Sequence, residues 1–212
     1  MTRQDNKESA TTSVTKRFVT EEELLRDAYR LGVEIYNSGF APTFIVGLWR
    51  GGSSVGIAVQ ECLQYLGIAT DHISIRTSYS GADTYAQMVD NPEQEIRVHG
   101  TQYLLETLNA EDRLLIVDDV MSSGLNVEAV IERLQKRLKR NMPEKVCVAV
   151  PWWKPDRRRT SRQPDFYLHE TSDWLVMPYE LSGLTRSEIL QHKNFLSPVS
   201  YTHLTLPTIL LV

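Results

Sequence analysis

Two neighbouring carboxylates, Asp118 and Asp119, follow the apolar run at residues 114–117 and precede a short polar turn. The apolar run is typical of a buried parallel strand, and a helical pattern begins after the turn. Ligands of open parallel sheets bind at the carboxyl ends of the strands, and the N–H groups at a helix N-terminus favour a phosphate. Carboxylates that hold vicinal hydroxyls, beside a turn that holds a phosphate, would suit a ribose 5-phosphate.

The polar turn contains two hydroxyls and a glycine, and its residues could surround a phosphate. Its members are Met121, Ser122, Ser123, Gly124, Leu125 and Asn126. A plainer alternative is structural, because a carboxylate pair at the end of a strand can cap the helix that follows.

A second glycine-containing turn, at residues 47–52, also lies between a predicted strand and a predicted helix. Glycine allows the backbone to approach a ligand closely, and an arginine adds charge-assisted hydrogen bonds to phosphate. Arg50 and Gly51 are therefore candidate anion-binding residues. Taken alone, this segment is better explained as an ordinary tight turn.

The elements that must position these turns follow from apolar periodicity. In the first helix, one face carries Leu24, Ala28, Leu31 and Ile35, and Thr20 is its predicted N-cap. Helices are predicted over residues 21–38 and 101–108, after residue 52, and after residue 126. Strands are predicted over residues 43–48, 71–77, 114–117, 145–150, 165–168 and 174–177. The alternation of strands and helices indicates an α/β fold with a parallel sheet covered on both faces.

Composition narrows the classes of function. The 212 residues are 42% hydrophobic and 24% charged, and the net charge of −4 creates no field that favours nucleic acid or a membrane. Two cysteines without a secretory signal are expected to be buried and reduced, which predicts a cytoplasmic protein. The basic cluster at residues 136–140 suits the C-terminal end of a helix dipole, with nucleic-acid binding as a minor alternative.

The apolar strand, the Asp–Asp pair and the Ser–Gly of the turn together resemble the 5-phosphoribosyl pyrophosphate (PRPP) motif of type I phosphoribosyltransferases. The resemblance covers about residues 21–190 and is nearest to bacterial hypoxanthine and xanthine–guanine phosphoribosyltransferases. It implies the type I fold, a parallel central sheet flanked by helices with a small C-terminal hood. It also implies transfer of 5-phosphoribosyl from PRPP to a purine base, a 6-oxopurine such as hypoxanthine, guanine or xanthine. This reaction releases pyrophosphate and serves purine salvage.

The resemblance assigns roles to both turns. Asp118 and Asp119 would hold the ribose hydroxyls and stabilise the reacting centre, and residues 121–126 would clamp the 5′-phosphate. Arg50 and Gly51 would bind pyrophosphate in a loop that often has a non-proline cis peptide. Mg²⁺ would neutralise the leaving group, with Glu180 near the metal. The family also implies a homo-oligomer, a dimer or a tetramer.

The base is expected near the end of the last predicted strand. By resemblance, Lys154 would donate to the exocyclic oxygen of the purine, Trp174 would stack on the ring, and the Leu175 backbone would meet its edge. The alternative is that Trp174 is a core residue and Lys154 is solvated. Ser78 and Tyr79 begin a polar segment at residues 78–99 and resemble the Ser–Tyr pair of a mobile catalytic loop.

The phosphate turn departs from the family pattern. Ser122 stands where 6-oxopurine enzymes have an aspartate that can act as a general base, while Leu125 and Asn126 replace the usual lysine or arginine and threonine. Serine is no base near neutral pH, so catalytic competence is in question. A non-catalytic PRPP- or nucleotide-binding regulator is therefore the main alternative. A further alternative is another class of α/β enzyme, such as a phosphohydrolase or a nucleotide kinase, but the chain lacks the motifs expected of these enzymes.

The ends of the chain are expected to lie outside the folded domain. Residues 1–17 are polar and predicted to be disordered, and residues 18–196 are expected to form the phosphoribosyltransferase domain, truncated at its C-terminus. Residues 198–208 resemble the in-frame translation of a sequencing-library adapter, so residues 198–212 are expected to be non-native. The alternative is a natural apolar tail that pairs as an edge strand.

Overall fold

A mostly parallel sheet of seven strands forms the centre of the protein, as a computed structural model that describes residues 16–79, 96–193 and 196 shows. The strands are β1 (Lys16–Phe18), β2 (Phe44–Trp49), β3 (Asp71–Tyr79), β4 (Ile96–His99), β5 (Arg113–Val117), β6 (Val120–Met121), β7 (Lys145–Trp153), β8 (Phe166–Glu170) and β9 (Trp174–Val176). The helices are α1 (Glu21–Asn37), α2 (Gly51–Tyr65), α3 (Gln102–Thr107), α4 (Leu125–Leu138) and α5 (Arg186–His192).

The strand order is β4-β3-β2-β5-β7-β6, and β8 pairs with β7. All neighbours are parallel except β3 and β4. Because β2 lies directly beside β5, with Gly47 opposite Val117, the carboxyl ends of these two strands adjoin. The order therefore brings the two turns that the sequence singled out to the same edge of the sheet.

Helices cover both faces of the sheet, as predicted. Leu115 faces the layer formed by α1 and α2, and Ile116 faces the layer formed by α3 and α4. The predicted face of α1 is buried, and Thr20 caps the helix by accepting a hydrogen bond from the Glu23 N–H at 3.1 Å. The prediction of a parallel central sheet flanked by helices is confirmed.

A small hood lies outside the central sheet. Its strand β1 pairs in parallel with β9, with Arg17 opposite Leu175. Helix α5 ties the pair together, because Lys16 Nζ lies 2.7 Å from Glu188 Oε1 and the Phe18 ring stacks on His192 at a centroid distance of 3.7 Å. The prediction that residues 1–17 are disordered is wrong for Lys16 and Arg17, because β9 supplies a strand partner that no local pattern reveals.

The described residues at both ends of the polar segment 78–99 are in strands. Ser78 and Tyr79 are the last residues of β3, and they pair with Arg97 and Ile96 of the antiparallel strand β4. The prediction that this pair begins a loop is therefore wrong, because pairing with β4 extends the strand. Residues 80–95 lie outside the described residues.

Both cysteines in the described part are free thiols, as expected, but each is partly buried rather than buried. Burial raises the pKa of Cys62, and burial followed by the charge of Asp165 raises the pKa of Cys147 to about 11. None of the helices that the structure describes is long and apolar enough to cross a membrane.

Candidate functional site

The two strand-end turns are in direct contact. Helix α2 begins at Gly51, and a Cβ atom on Gly52 would lie 2.9 Å from the Cα atom of Asp118 and overlap the Val117 carbonyl oxygen. A side chain at position 52 would therefore push the two strand ends apart. The Trp49–Arg50 peptide bond before this turn is cis, as the resemblance implied.

Asp118 and Asp119 form a coupled acidic pair. The Asp118 carboxylate accepts hydrogen bonds from the backbone N–H groups of Asp119, at 3.0 Å, and of Gly52. Loss of hydration, followed by the negative charge of Asp119, raises the pKa of Asp118 well above its usual range, and the two N–H groups oppose this rise only in part. The Asp118 carboxyl group consequently holds its proton to a higher pH than an isolated aspartate does.

Asp119 also contacts the hood. The Tyr179 hydroxyl donates a hydrogen bond to Asp119 Oδ2, and a Cβ atom on Gly51 would overlap both that hydroxyl and the Asp119 carboxyl group. Burial, followed by the charge of Asp119, raises the pKa of Tyr179, so its hydroxyl stays protonated and remains a donor. No local pattern in the sequence indicates that Tyr179 contacts Asp119, because the two residues are 60 positions apart.

Glu180 lies within electrostatic reach of both Asp119 and Arg50. Burial raises the pKa of Glu180, a hydrogen bond from the Met177 N–H to its Oε2 atom at 3.1 Å lowers it, Asp119 raises it, and Arg50 lowers it. Arg50 is exposed and supplies a positive charge at the junction of the two turns. An acidic pair, a further carboxyl group and one guanidinium therefore share this space.

The phosphate turn leads from β6 into α4. Gly124 has a φ of +79°, a left-handed conformation that favours glycine, and it immediately precedes the first residue of the helix. The Leu125 N–H donates to Ser123 Oγ at 3.3 Å. The turn thus presents its hydroxyls and the first N–H groups of α4 at the carboxyl end of the sheet, which is an arrangement suited to an anion.

A basic segment at residues 154–162 packs on the phosphate turn. Its backbone donates from Lys154 N–H to the Met121 carbonyl and from Arg159 N–H to the Ser123 carbonyl, both at 2.9 Å. The Thr160 hydroxyl lies against Gly124, where a Cβ atom would overlap it. The sequence did not predict this packing, because backbone hydrogen bonds leave no residue pattern.

The candidate base-binding residues have intermediate or strong exposure, apart from Leu175. Trp174 is 43% exposed, so its assignment as a core residue is wrong, whereas Leu175 is 7% exposed. Burial, followed by the charge of Arg157, lowers the pKa of Lys154, while Asp173 and Glu180 oppose the shift. Lys154 is therefore partly desolvated and close to the carboxyl group of Glu180.

Ser78 does not join this group in the part of the chain that the structure describes. Its Oγ atom lies 2.9 Å from His99 Nε2, and its strand neighbour is Arg97. Among the described residues there is also no group of three or more metal-ligating side chains. Asp119 and Glu180 are the carboxyl groups that could hold a metal jointly with a phosphorylated ligand.

Strand-end loops on a parallel sheet, with a carboxylate pair before a helix N-terminus, define a class of α/β enzymes that act on phosphorylated ligands. The family model described as the phosphoribosyl transferase domain matches residues 15–182, so the chain belongs to this family. Its members are transferases, and this chain is a phosphoribosyltransferase. None of the curated protein sequences matches the chain.

Solved structures share the fold at low sequence identity. The purine phosphoribosyltransferase from Pyrococcus horikoshii has a TM-score of 0.60 and 22% identity, over 81% of this chain and 97% of that chain. A hypothetical protein from Neisseria gonorrhoeae with bound ppGpp has a TM-score of 0.64 and 18% identity, over 88% of this chain and 98% of that chain. The xanthine–guanine–hypoxanthine phosphoribosyltransferase of Helicobacter pylori has a TM-score of 0.59 and 17% identity, over 87% of this chain and 99% of that chain.

Proposed function

We propose that the protein transfers 5-phosphoribosyl from PRPP to a 6-oxopurine base and releases pyrophosphate. The observation that carries the proposal is the direct contact of the Gly51–Gly52 turn with the Asp118–Asp119 pair. PRPP has a 5′-phosphate and a pyrophosphate on either side of two ribose hydroxyls. A site for PRPP therefore needs two anion-binding loops with acceptors for hydroxyls between them.

The residues of the two turns then have separate tasks. Ser123, Gly124 and the N-terminus of α4 hold the 5′-phosphate, and Arg50 with the Gly51 backbone holds the pyrophosphate. Asp118 and Asp119 accept hydrogen bonds from the ribose hydroxyls and favour positive charge that develops at the anomeric carbon. Because both ends of PRPP are anchored, positioning supplies much of the acceleration.

Magnesium fits the chemistry of these donors. Mg²⁺ is bound by one or two carboxylates together with substrate phosphates, and Asp119 and Glu180 are suitably placed carboxyl groups. When bound, Mg²⁺ would neutralise charge on the pyrophosphate. Asp119 orients the ribose, and Arg50 keeps the pyrophosphate in place.

The base would lie between the central sheet and the hood. Trp174 offers an exposed aromatic face for a flat ring. Lys154, held by its backbone N–H on the Met121 carbonyl, can donate to an exocyclic oxygen. Because the ammonium group of Lys154 only donates hydrogen bonds, it favours a 6-oxopurine, which has an exocyclic carbonyl oxygen, over adenine, which has an exocyclic amine.

A second candidate function rests on Ser122. This serine stands where the family pattern has an acidic residue that accepts a proton from the base, and it cannot do so near neutral pH. A protein that binds PRPP or a nucleotide without turnover would keep Ser123, Gly124 and the acidic pair. It would not need a proton acceptor at position 122.

The experiment measures nucleotide and pyrophosphate after incubation with PRPP, Mg²⁺ and, separately, hypoxanthine, guanine, xanthine, adenine, uracil and orotate. Nucleotide from one or more 6-oxopurines is expected. The Ser122→Asp variant on the same panel separates the two candidates. If the variant forms nucleotide and the wild-type protein does not, the wild-type protein is a regulator. Product from adenine or a pyrimidine only would contradict the 6-oxopurine assignment.

Homo-oligomerisation, a cytoplasmic location and a role in purine salvage stay predictions. The dimer or tetramer can be tested by light scattering after size-exclusion chromatography. A single protomer at micromolar concentration would contradict it.

A further inference from the structure

Tyr179 lies at the junction of the two turns. Its hydroxyl donates to Asp119 Oδ2 and touches Gly51, the residue assigned to pyrophosphate binding. Tyr179 itself follows β9 and belongs to the hood, so this hydrogen bond joins the hood to the carboxylate pair. No local pattern in the chain indicated the contact, because 60 residues separate the two partners.

The phenol and a ribose hydroxyl would make the same kind of hydrogen bond to Asp119. Both are O–H donors, and a charged acceptor strengthens either bond. We propose that Tyr179 is a latch on the PRPP site: its hydroxyl occupies Asp119 Oδ2 and must leave this oxygen before a ribose hydroxyl can bind to it. This inference rests on the proposed function. It makes Tyr179 a residue that sets the affinity for PRPP by competing with it.

The backbone beneath the latch is fixed. Lys193 is 3% exposed, and its Nζ atom donates to the carbonyl oxygens of Met177 at 2.9 Å and Pro178 at 2.6 Å. Glu180 adds two bonds, from its N–H to the Met177 carbonyl at 3.0 Å and from the Met177 N–H to its carboxyl group at 3.1 Å. The turn cannot move readily, so release of Asp119 is a rotation of the Tyr179 side chain.

A cavity next to the ring can receive it. This cavity has a volume of about 360 Å³ and a mostly apolar lining that includes Leu24, Ala28, Pro178 and Tyr179 itself. A phenol ring is small compared with that volume. A change of the Tyr179 side-chain rotamer toward this cavity would break the hydrogen bond to Asp119 while the strand and the turn stay in place.

Removal of the hydroxyl should tighten PRPP binding. Tyr179→Phe keeps the ring and deletes only the donor to Asp119, so the competing state loses its hydrogen bond. We expect the Kd for PRPP, measured by isothermal titration calorimetry with Mg²⁺, to fall about tenfold. A residue that contacts PRPP productively would give the opposite sign.

Tyr103→Phe is the matched control. The Tyr103 hydroxyl also donates to an aspartate, Asp71, but that residue begins β3 at the amino end of the parallel sheet. This control should leave the Kd for PRPP unchanged within twofold. In a background of Asp119→Ala, where the acceptor of the Tyr179 hydroxyl is removed, Tyr179→Phe should also give less than a twofold change.

The outcomes separate the two levels of inference. Wild-type protein that binds no PRPP would overturn the proposed function and the latch together. Wild-type protein that binds PRPP while Tyr179→Phe binds it equally or more weakly would overturn the latch alone. An equal gain in Tyr103→Phe, or an undiminished gain in the Asp119→Ala background, would also overturn the latch.

Discussion

The strand-end turns and the hood meet at the same site but are built in different ways. The turns at Gly51 and Asp118 are each a continuous strand, turn and helix, and they meet because β2 and β5 are neighbours in the sheet. The hood joins segments from opposite ends of the chain, with Lys16 opposite Trp174 in the β1–β9 pair.

This difference explains which chemistry each region can supply. The turns present backbone N–H groups and carboxylates on rigid elements, which suits tight positioning of a charged ligand. The hood depends on a few side-chain ties, such as Lys193 on the Met177 carbonyl and Phe18 on His192. Because these ties hold its backbone, the hood contributes to a ligand that the turns already hold through side chains such as Tyr179.

The largest expected effect comes from the acidic pair. Asp119→Asn should lower PRPP-dependent release of pyrophosphate by about 100-fold or more, because the variant loses charge beside the reacting centre. Asp156→Asn, which changes an exposed carboxylate in the segment that covers the phosphate turn, should retain activity within twofold. Full activity of Asp119→Asn would contradict the role of the pair.

The contact between the two turns can be broken by one methyl group. Gly52→Ala places a Cβ atom against the Val117 carbonyl and the Asp118 Cα atom, both of which are backbone, and should lower the free energy of unfolding by about 1–3 kcal/mol. Gly56→Ala is the control: its new Cβ atom would lie 2.8 Å from Nε2 of His72. Because this side-chain ring can shift, the loss in the free energy of unfolding should be smaller. Urea denaturation of both variants measures the difference, and equal stability would argue against close contact of the turns.

The hood can be loosened without touching the turns. Lys193→Met leaves the carbonyl oxygens of Met177 and Pro178 without their ammonium donor and should reduce kcat/KM for the base about tenfold. Lys16→Met removes an ion pair with Glu188 that is partly exposed, so it should have less than a twofold effect. Lys193→Arg should recover part of the activity. Equal losses in Lys16→Met and Lys193→Met would show a general structural role of α5.

The smallest effect concerns stability and pH. The raised pKa of Asp118 means that the folded protein holds this proton more tightly than the unfolded chain does, so stability is lost as pH rises through the folded pKa. Asp118→Asn should therefore raise Tm relative to wild type at pH 8 and change it little at pH 4. Each kcal/mol gained in the free energy of unfolding should raise Tm by about 2–4 °C. Differential scanning calorimetry at both pH values tests this, and a larger gain at pH 4 would reverse the assigned sign.

The sequence predicted what is encoded locally. The buried face of α1, the strand before Asp118 and the turn after it all have patterns within a few residues, and the structure confirms these elements. The sequence placed both turns at strand ends, but their contact depends on β2 and β5 being neighbours in the sheet, which it did not predict. The assignment of residues to PRPP, pyrophosphate and base stays a prediction.

Features that depend on distant partners could not be predicted. Strand β1 forms only because β9 offers a parallel edge, and β4 extends β3 beyond the predicted end of that strand. Tyr179 and Lys193 looked like ordinary residues, because their partners at Asp119 and Met177 become neighbours only in the folded chain. Thr160 reaches Gly124 for the same reason.

The central claim is that the two turns bind one ligand jointly, and a crystal structure with inosine 5′-monophosphate, pyrophosphate and Mg²⁺ tests it most directly. The account predicts the 5′-phosphate at Ser123 and Gly124, the ribose hydroxyls on the acidic pair, and pyrophosphate at Arg50 and Gly51. It also predicts that Tyr179 has left Asp119. A nucleotide bound elsewhere, or one whose ribose does not contact Asp118 or Asp119, would contradict the claim.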